Sequence, residues 1–211
     1  MVLGREMHDN GSNTAECTAR LRSFLLQYGS MTTNEWNVIS SKFKVQHLNR
    51  LDFFLEQGKV CTRVAFVAGG FLRTFTTDDG GEQVTTHFAH ANSLALSFFS
   101  FKNQHASFEN IQATEDTTLL TMTYADMQLL LESVPAWRHI YLQIIEEAYA
   151  CQEQRNYILQ NLSATKRYEL LIEQAHPDIL KKAFQGHIAS YLGVKQETLS
   201  RVRKKISRAA F

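Results

Sequence analysis

The residues with the clearest chemical vocabulary lie between positions 195 and 205. Lys195, Gln196, Glu197, Ser200, Arg201, Lys204 and Lys205 bring acid, amide, hydroxyl and base into one short stretch. Glu197 and Arg201 are four apart, so a helix would put both on one face. A carboxylate accepts from cytosine N4, and a guanidinium forks onto guanine O6 and N7, so the pair can read one G·C step. Ser200 can reach a neighbouring base or phosphate. Lys195, Lys204 and Lys205 suit phosphates, which position a protein and add affinity without reading sequence. The plain alternative for Glu197 and Arg201 is a surface ion pair worth a few tenths of a kcal/mol.

To aim these side chains outward, something must hold the other face of the helix. Residues Gln185 to Lys204 carry a helix-turn-helix pattern. Ile188, small Ala189 and Leu192 precede Gly193, and Val194, Leu199 and Val202 follow it, which fills the interior of two crossed helices. Gly193 stands where the turn needs positive φ. Lys195 occupies the capping position of the second helix, where a side-chain cap would want Ser or Thr.

Charge supports the same reading. The chain has 211 residues, 44% of them apolar, and a net charge of +1. From Lys181 to Phe211 there are eight Lys or Arg and one acid, Glu197. The excess of acid therefore lies in residues 1–180, and a basic tail on an acidic body is the footprint of a nucleic-acid binder. No stretch approaches the apolar length of a membrane span, and no signal peptide is read at the N-terminus. Three distant cysteines, Cys17, Cys61 and Cys151, fit reduced thiols in a cytoplasm.

The rest of the chain divides by pattern into four expected parts. Residues 1–18 read as a flexible leader. Residues 19–132 begin with helices near Ala19–Tyr28 and Thr33–Phe43, the second capped by Thr33 or Asn34. Short strands follow over Asp52–Leu55, Arg63–Val67, Phe71–Thr77, Gln83–Phe88, Ile111–Thr114 and Thr117–Thr123, with a hairpin signal at Asp78-Asp79-Gly80-Gly81. This spacing predicts an antiparallel barrel or roll, closed by a short helix at Tyr124–Glu132. Residues 133–162 form one long helix whose seam reads Trp137, Tyr141, Ile144, Ala148, Cys151, Arg155, Ile158 and Leu162. The steps alternate four and three, a coiled-coil spacing that predicts a homodimer, with Arg155 as its interruption. Residues 163–211 add a helix at about Ala164–Ala175 and the helix-turn-helix. Few residues follow Ile206, so little or no wing is expected. The fold class is α+β: an N-terminal antiparallel roll of the jelly-roll, or double-stranded β-helix, type, a long central helix and a helical C-terminal domain.

This order of parts resembles the Crp/Fnr family of bacterial transcription regulators over roughly residues 20–206. The segment Ile188-Ala189-Ser190-Tyr191-Leu192-Gly193-Val194-Lys195-Gln196-Glu197-Thr198-Leu199-Ser200-Arg201 carries most of the likeness. Glu197, Ser200 and Arg201 look like the family's DNA-reading triplet. Phe66-Val67-Ala68-Gly69-Gly70-Phe71-Leu72-Arg73 looks like its strand–Gly–strand. The resemblance implies a homodimer on a palindromic operator in double-stranded DNA, with RNA polymerase as a further partner.

Family members that bind cyclic nucleotides carry Gly-Glu in the roll and Arg-Ser/Thr-Ala about ten residues later. Those positions fall here on Leu96-Ser97 and Ser107-Phe108-Glu109, without the arginine or the ribose carboxylate. No glycine lies between Gly81 and Gly186, and Lys102 is the only Lys or Arg from Glu82 to Trp137. A phosphate would find no glycine cradle and at most one cation, so cyclic AMP and cyclic GMP are not expected to bind tightly. The effector is unknown, or the regulator is effector-independent. Leu94, Leu96, Phe98, Phe99, Phe101 and Phe108 read as roll core. Three cysteines cannot supply a four-cysteine iron–sulfur site. His87-x-x-His90 has the wrong spacing for a strand-borne chelate, which weakens the alternative of a cupin-like metal enzyme. No catalytic residue, cofactor or metal is expected.

Overall fold

A computed structural model describes residues 10–209, and side chains from 14 to 207. The first helix, α1, spans Asn10–Leu25. It thus starts nine residues before the expected Ala19, and the part of the leader that lies within the described residues is helical. Cys17, Leu21, Phe24 and Leu25 supply the missing reason: they form an apolar face buried in the core. Residues 1–9 lie outside the described residues. Helix α2, Thr33–Ser40, is capped by Thr32, one residue before the expected cap. The Thr32 hydroxyl accepts from the Glu35 amide, and the Glu35 carboxylate accepts from the Thr32 amide at 2.8 Å, a reciprocal capping box.

Eight strands follow in two antiparallel sheets: β1 Lys44–Leu48, β2 Phe53–Leu55, β3 Arg63–Gly69, β4 Phe71–Thr77, β5 Gln83–His90, β6 Ser93–Ala95, β7 Asn110–Ala113 and β8 Thr117–Thr123. One sheet has the order β1-β8-β3-β6 and the other β2-β7-β4-β5. The expected roll is therefore present, with β1 and β6 added. Between β4 and β5 the Asp78 carboxylate accepts from the amides of Gly80 and Glu82, which closes the expected hairpin. Gly70 joins β3 to β4 at φ +102°, and a Cβ there would lie 2.6 Å from the Thr117 Cα, so no larger residue fits.

Alternation along β8 predicts one buried face, yet Leu119, Leu120, Thr121 and Met122 are all buried. The roll interior covers one face, and α1 with α4, Tyr124–Ser133, packs on this strand from outside. Phe98, Phe99 and Phe108 correct the expected roll core, being 44%, 49% and 53% exposed. The first two lie on a short helix, α3 (Phe98–Asn103), whose inward face uses Ser100 and Phe101 instead.

Helix α4 ends at Ser133, and Pro135 starts α5, Pro135–Asn161, at a position whose amide would have no helical partner. The C-terminal part is α6 Ala164–Gln174, α7 Pro177–Lys182, α8 Gln185–Tyr191 and α9 Gln196–Ala209. No strand follows α9 among the described residues. Two cores result. The larger fills the roll and takes in α1, α2, α4 and the first turns of α5. The smaller joins Tyr168, Leu171, Ile179, Ile188, Leu199 and Val202 to Phe71 and Phe88 of the roll.

Candidate nucleic-acid interface

Ile188, Ala189, Leu192, Leu199 and Val202 are buried as their spacing predicts, and Val194 is partly buried. Gly193 adopts φ +66°. A Cβ there would meet Arg167 Nη1 at 3.2 Å and Leu159 at 3.6 Å. Arg167 explains the close approach. Its guanidinium donates to the carbonyls of Leu159, Leu162 and Leu192 at 2.6, 2.9 and 2.8 Å, tying the end of α5 to the helix-turn-helix turn. Sequence reasoning gave Arg167 no role, because its partners are backbone atoms far apart along the chain.

With the inner face held, Lys195, Gln196, Glu197, Ser200, Arg201, Lys204 and Lys205 are all exposed. The Lys195 carbonyl accepts from the amides of Thr198 and Leu199, so the backbone alone starts α9 there. The Gln196 Oε1 lies against Gly186 of α8. Arg201 donates to the Thr198 hydroxyl at 3.4 Å. Among the described residues it forms no ion pair with Glu197. The surface salt bridge that the spacing also allowed is absent, and both groups face solvent.

The positions of the family's cyclic-nucleotide motif are built into turns. The Ser107 hydroxyl donates to the Glu109 carbonyl and accepts from its amide. Ser97 is fully buried, and its hydroxyl has no hydrogen-bond partner. Leu96 is half-buried, and the exposed Phe108 ring sits 5.8 Å from Phe99. The cysteine nearest this region, Cys61, has its thiol pushed up by burial and donates to the Arg63 carbonyl.

The seam expected on α5 does not form one free stripe. Trp137 is 3% exposed and sits in the roll core, its indole N–H directed at the Met127 sulfur. Tyr141 and Ile144 also pack on that core, while Ala148 and Cys151 are exposed. Tyr28, in the turn after α1, lies against Glu147 and Cys151, and burial with the Glu147 charge pushes its phenol up to about 12. Arg155, the expected interruption of the seam, has partners within its own chain. It covers its own chain's Tyr191 ring at 3.8 Å and donates to the Tyr191 carbonyl. Ile158 and Leu162 are half-buried near the end of α5. The large apolar residues α5 leaves exposed are Leu142, Tyr149 and Tyr157.

The helix-turn-helix also rests on the roll. Ser190 of α8 plugs the free edge of β5: its hydroxyl accepts from the Thr85 amide at 2.9 Å and donates to the Gln83 carbonyl. Phe71 stacks on Phe88, which packs on Tyr191 at 5.3 Å. His90 stacks on His176 at 3.7 Å, and Lys182 bridges to Glu115 at 2.6 Å.

Similarity to known proteins agrees with this geometry. No family model matches the chain. The transcriptional activator protein Anr of Pseudomonas aeruginosa is 25% identical over 166 residues, spanning 74% of this chain and 67% of its own length. The regulatory protein HlyX of Actinobacillus pleuropneumoniae is 23% identical over 79% of this chain and 71% of its own. Among solved structures, FixK2 of Bradyrhizobium japonicum superposes with TM-score 0.66 at 15% identity, over 80% of this chain and 86% of its own. The catabolite activator protein of Thermus thermophilus gives TM-score 0.54 at 20% identity, over 89% and 88%. In sequence the chain is similar to these transcription regulators, and in fold it shares their antiparallel roll followed by a long helix and a helical C-terminal part.

Proposed function

We propose that the chain acts as a homodimer that reads a palindromic DNA operator through α9, without cyclic AMP as its signal. One observation carries the reading: the outward face of α9 presents Glu197 and Arg201 unpaired, beside Ser200, Lys204 and Lys205. In a major groove, Arg201 and Glu197 would share a G·C step and Ser200 its neighbour, with Lys195, Lys204 and Lys205 on phosphates. Two such helices in a two-fold dimer would meet successive grooves about 34 Å apart. The pairing surface we assign is the exposed stripe of α5 marked by Leu142, Tyr149 and Tyr157, which lies beside the stripe expected from spacing alone. RNA polymerase is the further partner this reading implies, since relatives are named as transcriptional activators. The expected compartment is the cytoplasm.

The test is selection of bound duplexes from a random pool, with ligand-free protein at near-physiological salt. A two-fold palindrome with half-sites about one helical turn apart is the expected product. Binding that is steeply salt-dependent and blind to sequence would refute base reading by α9 in the ligand-free chain.

A further inference from the structure

The contact between roll and helix-turn-helix is rich in imidazole and poor in free acid. His90 lies in β5, His176 at the start of α7, and His187 in α8. His87, also in β5, lies near Arg155 of α5 and near His90, and burial, then these two charges, push its imidazole down to about 4. The cations are Arg73 of β4, Arg155 and Lys182 of α7. Arg73 is 3% exposed, yet its hydrogen bonds go to the Thr85 hydroxyl and the Gln83 amide oxygen, and its guanidinium covers the Phe75 ring at 4.3 Å. Among the described residues no carboxylate pairs with Arg73, Arg155 or His187. The acids on this side are Asp178 of α7 and Glu115 of the β7–β8 turn. Both already hold Lys182, at 3.4 and 2.6 Å.

We propose that this contact is a proton-released latch: neutral His90 and His187 let α7 and α8 sit on β4 and β5, and protonating them frees the helix-turn-helix from the roll. The geometry at each ring supports it. The His187 Nδ1 is buried without a hydrogen-bond partner, and the side chain lies near Arg73, so a second positive charge there would have no acid to meet it. His90 and His176 lie nearly parallel, 14° apart at 3.7 Å, and the His176 ring disfavours a proton on His90. The Ser190 plug and the Phe88–Tyr191 contact hold the same surface from either side, so the seam is small enough to open as a unit.

The sign follows from the environment. Burial first, then Arg73, pushes the His187 imidazole down to about 4 from the ordinary 6.5. Burial first lowers His90, with His176 and Lys182 acting the same way and a backbone bond to Ala91 and the Asp178 charge opposing them. Groups held neutral in this way stabilise the closed seam fully above about pH 6.5, and that stabilisation is lost as the pH falls toward 4. For His187 alone, the closing constant drops about thirty-fold between pH 7.5 and 5.0.

Hydrogen–deuterium exchange of the full chain tests this without DNA. Corrected for intrinsic rates, protection at the Thr85 amide and along α8 should fall at least tenfold between pH 7.5 and 5.0, while β3 and β8 keep theirs. The His90→Gln/His187→Gln double variant should stay protected at pH 7.5 and lose most of the response, the remainder belonging to His87. Ser190→Ala should weaken protection at every pH and keep the slope. Wild-type protection constant within about twofold, or a double variant with the full response, would overturn the proposal. If the double variant is already open at pH 7.5, imidazole titration of the wild type by NMR decides. Values well below 6.5 for His90 and His187 support the latch, and ordinary or raised values reject it.

Discussion

Replacing Gly193 by alanine perturbs the turn on which the DNA-reading geometry depends. At φ +66° an L-residue incurs about 1–2 kcal/mol of left-handed strain that glycine does not. The new methyl would also lie 3.2 Å from Arg167 Nη1, so the guanidinium must retreat by a few tenths of an ångström. That weakens three charge-assisted bonds, each worth about 1.5–3 kcal/mol when intact, and a loss of about 1 kcal/mol is a modest share of them. The expected destabilisation is about 2–3 kcal/mol, confined to the C-terminal unit. The chain reports on this confinement itself. Its two tryptophans, Trp36 and Trp137, both sit in the roll core, whereas helix content is spread over both parts. In urea, Gly193→Ala should move the circular-dichroism transition to lower concentration and leave the fluorescence transition in place. Gly193→Asn should restore about half of the loss, since asparagine tolerates the left-handed region. A shift below about 0.5 kcal/mol, equal shifts in both signals, or an asparagine variant as weak as alanine would each refute the reasoning.

Other perturbations separate the roles assigned to single residues. Arg201→Ala should weaken operator binding by about 1–3 kcal/mol at one G·C step and relax selectivity there, whereas Lys204→Ala should weaken all sequences alike and reduce the salt slope by about one; a selection experiment with each variant distinguishes them. Tyr149→Glu, at a residue 72% exposed on α5, should shift the protein toward monomer in analytical ultracentrifugation with little change in thermal stability, and an unchanged dimer would move the pairing surface elsewhere. Titration calorimetry with cyclic AMP or cyclic GMP should show no micromolar binding, because Ser107 is spent on its own turn and the motif arginine is missing.

The helix-turn-helix was legible because its signal is local. A glycine at a positive-φ turn and five apolar residues at helical spacing specify both the crossing and the outward face, and each of those five is buried. The strands were legible where turn chemistry bounded them, as at Asp78 to Gly81. They were missed where it did not: β1 Lys44–Leu48 holds an edge of its sheet with the polar Lys44, Gln46 and His47, so no alternation marks it. The α5 seam was misplaced for a different reason. A heptad spacing says that a helix has an apolar stripe, but not what covers it. Here Trp137, Tyr141 and Ile144 are taken by the chain's own roll, and the turn after α1 lies over Glu147 and Cys151.

The same limit explains why the contact between roll and helix-turn-helix left no readable motif. Its partners lie far apart along the chain, 105 residues in the case of Thr85 and Ser190. The trace it leaves is continuous burial along β4 and not an apolar run in the sequence. A roll exposed on its outer side should alternate there, yet Phe71, Leu72, Arg73, Thr74 and Phe75 are buried in succession. Leu72 faces the roll interior, and Phe71 and Phe88 face α8. A strand buried on both faces requires a second layer, and in this chain that layer is the helix-turn-helix with α6 and α7. Arg73 in the same layer is buried without an acid, its guanidinium held by the Thr85 hydroxyl, the Gln83 amide oxygen and the Phe75 ring. The position of that guanidinium beside His187 is what ties the placement of α8 to proton concentration.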